Sequence, residues 1–449
     1  MKQFLFILGK NYTLSLCEIS HLLQFNPYKG KIIDYSKQIG IIEFEEIINP
    51  DSLLKLQHRL GGIQKICEII ADYPKEIFIE GFPLQKLPKK FKKARTSIEN
   101  NIIPKILPQI FLNIQNKKIM FAISVYPYLF SKPEVSVGHL IQFLNQFIKN
   151  HLKKDSNSVK YFKYPDKLLK SKDLNPIWPH HVLVYSLLEF PNAEIILGFT
   201  KDRCYIAKTI AVDNPNVRKL IDEHRPETQF ETSIPPKLAK ILINLLNLPK
   251  NGILLDPFCG TGTILMMAAL QGINFFGTEI NNERIEATKN NLKWLTKVFE
   301  FVIPNLEQIV FKLDARNLDS YFEENSIDGI ATEPYLGPPL KSYLLESEYK
   351  KLIEEEIQPL YFKSLQSMKK VIKKNGKIAI ISPVYKEIDN KKVDFDLKSL
   401  AEELGLKVIK LLPSSRFGIK KEKIYDKNSL IILKDQYVMR KINLFKKIE

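Results

Sequence analysis

The sequence predicts an α/β protein built in two halves. From residue 233 onward we expect an open, mostly parallel sheet with helices on both faces, preceded by a half in which strands and helices mix. Two observations predict this. Beyond residue 233, short apolar runs alternate regularly with helical patterns. The first of those runs ends in Leu255-Asp-Pro-Phe-Cys-Gly-Thr-Gly262, which reads as a strand passing through a glycine turn into a helix. At 449 residues the chain is too long for one ordinary core, so two or three domains are expected.

Taken in order, Gln3–Leu8 suits a strand, and Leu14, Leu16, Ile19, Leu22 and Leu23 recur at helical spacing. Lys31–Asp34 and Ile41–Phe44 lie on either side of Gln38-Ile39-Gly40 as the arms of a hairpin. Asp51–Arg59 follows as a helix closed by Gly61-Gly62, then Ile63–Ile70 as a strand. This β-α-β-β-α-β order, expected over residues 1–78, is the split ferredoxin-like arrangement and carries no function by itself. In residues 79–213, Lys118–Val125, Val182–Leu188, Ala193–Leu197 and Tyr205–Val212 read as strands and Leu140–Leu152 as a helix. Residues 214–232 are polar and read as a linker, which Arg225-Pro226 either pins or merely turns. Ser233 can cap a helix over Lys237–Leu246 that opens with Pro235-Pro236, where proline costs no hydrogen bond. Strands Gly252–Leu255, Phe275–Glu279, Ile309–Leu313, Gly329–Thr332 and Lys377–Ser382 then alternate with helices Thr263–Gln271, Glu283–Trp294 and Ser347–Lys374. Leu406–Leu412 and Asn428–Leu433 end the chain, with Ser414–Lys427 between them able to turn back as an antiparallel ribbon.

Composition narrows the partners. The net charge of +17 and a pI near 9.3 favour a polyanion. The charge is concentrated in two runs: Lys86, Lys89, Lys90, Lys92, Lys93 and Arg95, and then Lys153, Lys154, Lys160, Lys163, Lys167, Lys170 and Lys172. The second run interleaves with Tyr161, Phe162 and Tyr164, a mixture suited to an RNA backbone with stackable bases; a solvated lysine face is the competing reading. Cys17, Cys67, Cys204 and Cys259 stand far apart, which argues against a zinc site or a disulfide framework and for a reducing, cytoplasmic setting. No uncharged apolar stretch is long enough to span a bilayer, so no membrane partner is expected.

The chemistry is written at expected strand ends. Asp256 ends the first parallel strand, and Phe258, Gly260 and Gly262 form the turn in which the glycines let backbone approach a ligand. Glu279 ends the next strand, about twenty residues on, where an acid can grip ribose hydroxyls. Asp314-Ala315 ends the third, where a carboxylate can take an adenine amine. A dinucleotide loop wants glycine at its third position, which here is Leu265, so S-adenosylmethionine is favoured over NAD. Cys259 has no evident base beside it and reads as a small residue filling the turn. Past the fourth strand comes Thr332-Glu333-Pro334-Tyr335. An exocyclic base amine is a poor nucleophile; a carboxylate such as Glu333 can accept its hydrogens, Pro334 stiffens the turn, and Tyr335 can stack on the base. No metal is required.

Leu255-Asp-Pro-Phe-Cys-Gly-Thr-Gly-Thr-Ile264, Ile234-Pro-Pro-Lys-Leu-Ala239 and Asn291-Leu-Lys-Trp294 resemble the THUMP-containing tRNA guanosine N2-methyltransferases that act on the guanosine at position ten. Phe4-Leu-Phe-Ile-Leu-Gly-Lys10, Arg59-Leu-Gly-Gly62 and Phe121-Ala-Ile-Ser-Val-Tyr126 resemble the same group, so the likeness runs through nearly the whole chain. The resemblance implies a ferredoxin-like domain over 1–78, a THUMP-like RNA-binding domain over 79–213, a linker over 214–232 and a Rossmann-like methyltransferase domain over 233–449. It implies S-adenosylmethionine as cofactor, tRNA as partner, and methylation of a guanosine N2 amine. Whether a small activating subunit accompanies the chain is left open, as are methylation of DNA or rRNA and a tRNA-binding role without catalysis. The family's corner is Asp-Pro-Pro-Tyr; here Thr332 stands where the acid is expected and Glu333 where the first proline is.

Overall fold

The computed structural model describes residues 2–84, 90–131, 134–164, 177–228, 233–340, 342–343, 345–386, 392–419, 427–432 and 437–449. Among them the chain forms two sheets. The first contains β1 (Lys2–Leu8), β2 (Gly30–Tyr35), β3 (Ile39–Phe44), β4 (Ile63–Pro74), β5 (Lys118–Tyr126), β6 (Ser158–Tyr161), β7 (Ala193–Phe199) and β8 (Arg203–Val212), in the order β2-β3-β1-β4-β8-β7-β5-β6. β4 pairs antiparallel with β8, so the strands on either side of residue 78 belong to one continuous sheet.

The second sheet contains β9 (Ile253–Asp256), β10 (Asn274–Glu279), β11 (Val310–Lys312), β12 (Ile327–Thr332), β13 (Ile372–Lys386), β14 (Lys392–Asp394), β15 (Leu406–Val408), β16 (Ser429–Ile432) and β17 (Val438–Lys447). Its main path is β11-β10-β9-β12-β13-β17-β15. The pairs from β11 to β13 are parallel, and β17 adds antiparallel to β13. The chain leaves β9 towards β10 and β11, then returns to build β12 on β9's other side. At such a reversal, here between β9 and β12, open α/β sheets form their ligand crevice outside the carboxyl ends of the strands.

The two bodies share a core. Leu16 and Ile19 of the helix Tyr12–Leu22 are buried in the same apolar cluster as Leu238, Ile241 and Leu242 of the helix Pro236–Leu246. At its centre the fully buried Glu18 accepts hydrogen bonds from the backbone of Gly61 and Gly62, both at 2.8 Å, and from Asn244 Nδ2 at 2.7 Å. Asn244 Oδ1 in turn accepts from Arg59 Nε at 2.8 Å. Gly61 and Gly62 therefore serve a close approach rather than the expected helix cap: a Cβ on Gly61 would stand 2.2 Å from the carbonyl oxygen of Lys237.

Several expected elements differ. Val182–Leu188 is not a strand; Pro179–Val184 forms a short helix with proline in its first turn, and a short apolar run cannot by itself choose between the two states. Within the expected linker, Asn214 caps a helix over Pro215–Glu223. Ser233 does not cap the following helix, whose N-cap is Pro235. The helix expected to reach Lys374 ends at Val371 and contains a π-helical turn at Ile353–Ile357. Half of the expected ribbon over Ser414–Lys427, residues 420–426, lies outside the described residues, and Ser414–Arg416 forms a 3-10 turn; the closing hairpin partner of β16 is β17, which the apolar pattern did not suggest.

Of the basic runs, Lys86, Lys89, Lys167, Lys170 and Lys172 lie outside the described residues, while Lys92, Lys93, Lys153, Lys154, Lys160 and Lys163 are exposed. Tyr164 is not available for stacking: it is buried and donates its hydroxyl to the carbonyl of Ile123 at 2.9 Å. Phe162 packs edge-on against Tyr164 and Tyr185. No helix among the described residues is long and apolar enough to cross a membrane.

Candidate active site

The glycine turn after β9 is shaped by its own backbone. Gly260 and Gly262 both take positive φ, +56° and +86°, conformations that side chains resist. They differ in their surroundings. A Cβ on Gly262 would collide with Thr288 Cγ2 at 2.8 Å, whereas one on Gly260 would meet nothing within 4 Å. Gly262 is thus needed for packing, and Gly260 borders open space. Thr288 closes the turn by donating to the carbonyl of Gly260 at 2.7 Å, and Asn291 Nδ2 donates to that of Thr261 at 2.8 Å. Cys259 is buried behind the turn, and burial pushes its thiol well above its ordinary range, in keeping with a filling role.

Three carboxylates stand at the ends of three adjacent parallel strands, as the spacing predicts. Asp256, 1% exposed, accepts from Phe258 N at 3.2 Å and from Thr332 Oγ1 at 2.7 Å. Burial pushes its carboxyl up to about 7, with the negative charges of Glu279 and Glu333 adding to the rise and the two hydrogen bonds opposing it. Glu279 accepts from the backbone of Gly260, Ile280 and Asn281 at 3.2, 2.9 and 3.2 Å, which ties the second strand end to the glycine turn. Asp314 caps the short 3-10 helix beginning at Ala315 and forms a forked pair with Arg316, which holds its carboxyl below the usual range. Phe258 packs half-buried against the second sheet's core, and Ala315 is buried.

The corner after β12 divides into buried and exposed parts. Thr332 is fully buried and gives its hydroxyl to Asp256, so it joins the β9 strand end instead of facing the mouth. Glu333 is held by Arg440 of β17, whose Nε and Nη2 reach its two oxygens in a forked ion pair with side chains 10% and 9% exposed. Burial raises the Glu333 carboxyl above its ordinary value, and Arg440 opposes the rise. Pro334 is buried, while Tyr335 is 44% exposed. Tyr385 donates its hydroxyl to the carbonyl of Leu336 at 2.9 Å, and Gly337 at φ +97° lets the chain turn past that ring.

Two contributors had no decisive mark in the sequence. Arg440 is the first. Arg225 is the second: it is buried and donates to Thr263 Oγ1 at 2.7 Å and to Ser233 Oγ at 3.0 Å. Of the two readings open for Arg225-Pro226, the pin is the one observed, and it fastens the segment between the two bodies to the helix that begins at the glycine turn.

Comparison with known proteins finds methyltransferases. Residues 224–403 match a family model described as an RMKL-like methyltransferase domain, and residues 70–290 match one described as a DNA methylase. A tRNA (guanine(10)-N2)-dimethyltransferase of Methanothermobacter thermautotrophicus is 28% identical over 216 residues, 48% of this chain and 55% of the relative. One of the same name from Pyrococcus abyssi is 29% identical over 178 residues, 39% of this chain and 44% of the relative. The chain spans about half the length of these curated relatives. Among solved structures, TrmN from Thermus thermophilus superposes over 99% of this chain and 100% of its own with a TM-score of 0.49 and 13% identity, too distant to bear on the reading.

Proposed function

We propose that this chain transfers a methyl group from S-adenosylmethionine to the exocyclic N2 amine of a guanosine in tRNA. The observation that carries this reading is that Asp256, Glu279, Asp314 and the Thr332–Tyr335 corner stand at or just past the carboxyl ends of the neighbouring strands β9 to β12. The match to a methyltransferase-domain model and the names of the relatives support it. The residues present fit the cofactor: Gly260 leaves room for a ligand beside the turn, and three successive strand ends offer carboxylates to its amine and hydroxyl groups. Asp256, Phe258, Gly260, Gly262, Glu279, Asp314 and Ala315 would hold it.

When bound, S-adenosylmethionine would supply an electrophilic methyl group for the amine's lone pair, with the carbon–sulfur electron pair left on sulfur. Glu333 accepts the amine's hydrogens and draws off the proton released from nitrogen. Pro334 fixes the corner, Tyr335 offers an exposed ring to the base, and Thr332 acts at one remove by orienting Asp256. The first sheet, with a ferredoxin-like part over 1–78 and a THUMP-like part over 79–213, would grip the RNA, with 214–232 linking it to the catalytic body. Incubating the protein with labelled S-adenosylmethionine and unmodified tRNA, then mapping the modified nucleoside, tests the reading; N2-methylguanosine is expected. The match to a DNA methylase model favours one second reading, an amino-methyltransferase acting on DNA. Duplex DNA outcompeting tRNA as methyl acceptor would establish it. Binding of tRNA without methyl transfer would mark the chain as a tRNA-binding protein.

A further inference from the structure

Glu333 and Arg440 are separated by 107 positions, yet their side chains meet in a forked pair at the rim of the crevice. Arg440 sits opposite Pro383 on β13, and β13 lies between β17 and β12. The guanidinium must therefore reach across a whole strand to the carboxylate just beyond β12. No other hydrogen bond reaches Glu333 among the described residues, so each oxygen keeps a lone-pair direction that the fork does not use. A structural ion pair this well buried normally has its remaining acceptors satisfied by neighbouring donors. This one is left half-satisfied beside the exposed Tyr335.

We propose that Arg440 is the positioning residue of the catalytic corner, fixing the plane of the Glu333 carboxylate and keeping it charged so that its free lone pairs face the substrate amine. The proposal rests on the methyltransferase reading. A fork sets the direction of a carboxylate, which a point charge does not, so lysine is a poor substitute for arginine at this position.

Among the described residues the groups that interact electrostatically with Glu333 are Arg440 from β17, Asp256 from β9 and Tyr361 from the helix Gln358–Val371. Arg440 is the one cation among them, so its removal leaves Glu333 with burial and a neighbouring carboxylate, both of which favour protonation. Methyl transfer to tRNA by Arg440→Met should fall on the order of tenfold to a hundredfold in kcat at neutral pH, with KM for tRNA and affinity for S-adenosylhomocysteine unchanged. The acid limb of its pH–rate profile should move to higher pH. Arg440→Lys should restore the position of that limb but only part of kcat. In a Glu333→Gln background, Arg440→Met should cost little more. If Arg440→Met melts early, Arg440→Lys and the double variant decide the matter under conditions where both are folded. An active parent with unaltered kcat and pH profile in Arg440→Met, or equal loss with and without Glu333, overturns the proposal alone. A parent that methylates no tRNA overturns the function and the proposal together.

Discussion

Among the described residues each sheet holds a buried ion pair, and the two are built differently. In the first sheet, Lys65 and Glu194 are both fully buried. Glu194 accepts from Lys65 at 2.5 Å, Ser124 at 2.6 Å and Thr209 at 2.6 Å, and Lys65 also donates to the carbonyl of Ile177 at 2.6 Å. Glu194 thus uses three of its roughly four acceptor directions and Lys65 two of its three donors, and the pair ties β4, β5, β7 and β8 to the backbone that follows residue 176. In the second sheet, Glu333 has Arg440 and no other donor among the described residues, and it lies at a crevice. The first pair is wholly enclosed, while the side chains of the second are 10% and 9% exposed, and the first has the fuller set of hydrogen bonds. A charge enclosed by donors from several strands organises the fold, whereas one held by a single partner with acceptors to spare at a sheet's carboxyl edge is placed to meet something else.

The largest expected effect breaks the fully buried pair. Lys65→Met leaves Glu194 charged or protonated in the core of a sheet and should cost about 3–5 kcal/mol of stability. Changing both partners together to apolar residues should recover much of that loss. Chemical denaturation measures both. Arg440→Met should cost clearly less, because Glu333 can take up water or a proton at the crevice. Equal losses at the two sites would remove the distinction drawn here.

Next in size is the cofactor edge. Asp256→Ala and Glu279→Ala should each weaken S-adenosylhomocysteine binding by roughly tenfold or more, the scale of a lost charged hydrogen bond of about 1.5–3 kcal/mol. Affinity for tRNA should be nearly unchanged, since the exposed lysines proposed for RNA lie on the first sheet's body. Calorimetry with the cofactor product and a gel shift with tRNA check this, and equal loss of both ligands would contradict a division of labour between the bodies.

Smaller still is the response of tRNA binding to salt. If Lys92, Lys93, Lys153, Lys154, Lys160 and Lys163 contact phosphates, the affinity of the full chain should fall linearly on a logarithmic salt scale. Reversing Lys160 and Lys163 to glutamate should flatten that slope. A slope unchanged by the reversal would move the RNA elsewhere.

The two ion pairs also show what sequence reasoning can reach. Asp256, Gly260, Gly262 and Glu279 were legible because a strand, a glycine turn and a helix follow one another locally, and the acids stand at predictable offsets. The order of elements in residues 1–74 was legible for the same reason, since apolar periodicity there is strong. Strand β17 was not. Arg440, Asn443 and Lys447 are all buried in it, which spoils the apolar alternation that marks a strand. Their partners are distant in sequence: Asn443 donates to Ser382 Oγ at 2.9 Å, and Lys447 to Asn325 Oδ1 and the carbonyl of Ile372, both at 2.9 Å. The Arg440 contact was hidden with the strand that carries it. The helix over Pro215–Glu223 was hidden by a polar composition that resembles a linker.

The smallest expected effect tests Asp256, the acid that sits between the two edges. Its carboxyl is pushed up to about 7 from an ordinary 3.8, chiefly by burial. The folded state therefore holds the proton more tightly than the unfolded chain does. Stability contributed by that proton is complete below about pH 4, is lost as pH rises towards 7, and is absent above it. Asp256→Asn keeps an oxygen for Thr332 and Phe258 but removes the charge, so it should melt a few degrees higher than the parent at pH 8, with the gain vanishing near pH 4. Bound ligand should invert the sign: if Asp256 meets a positively charged part of the cofactor, the parent should gain more from saturating S-adenosylhomocysteine at pH 8 than Asp256→Asn does. Melting curves at the two pH values, with and without that ligand, give all the comparisons. An Asp256→Asn variant that follows the parent at both pH values would mean that Asp256 is hydrated and titrates like an ordinary carboxylate, and the buried edge of the crevice would then be wet.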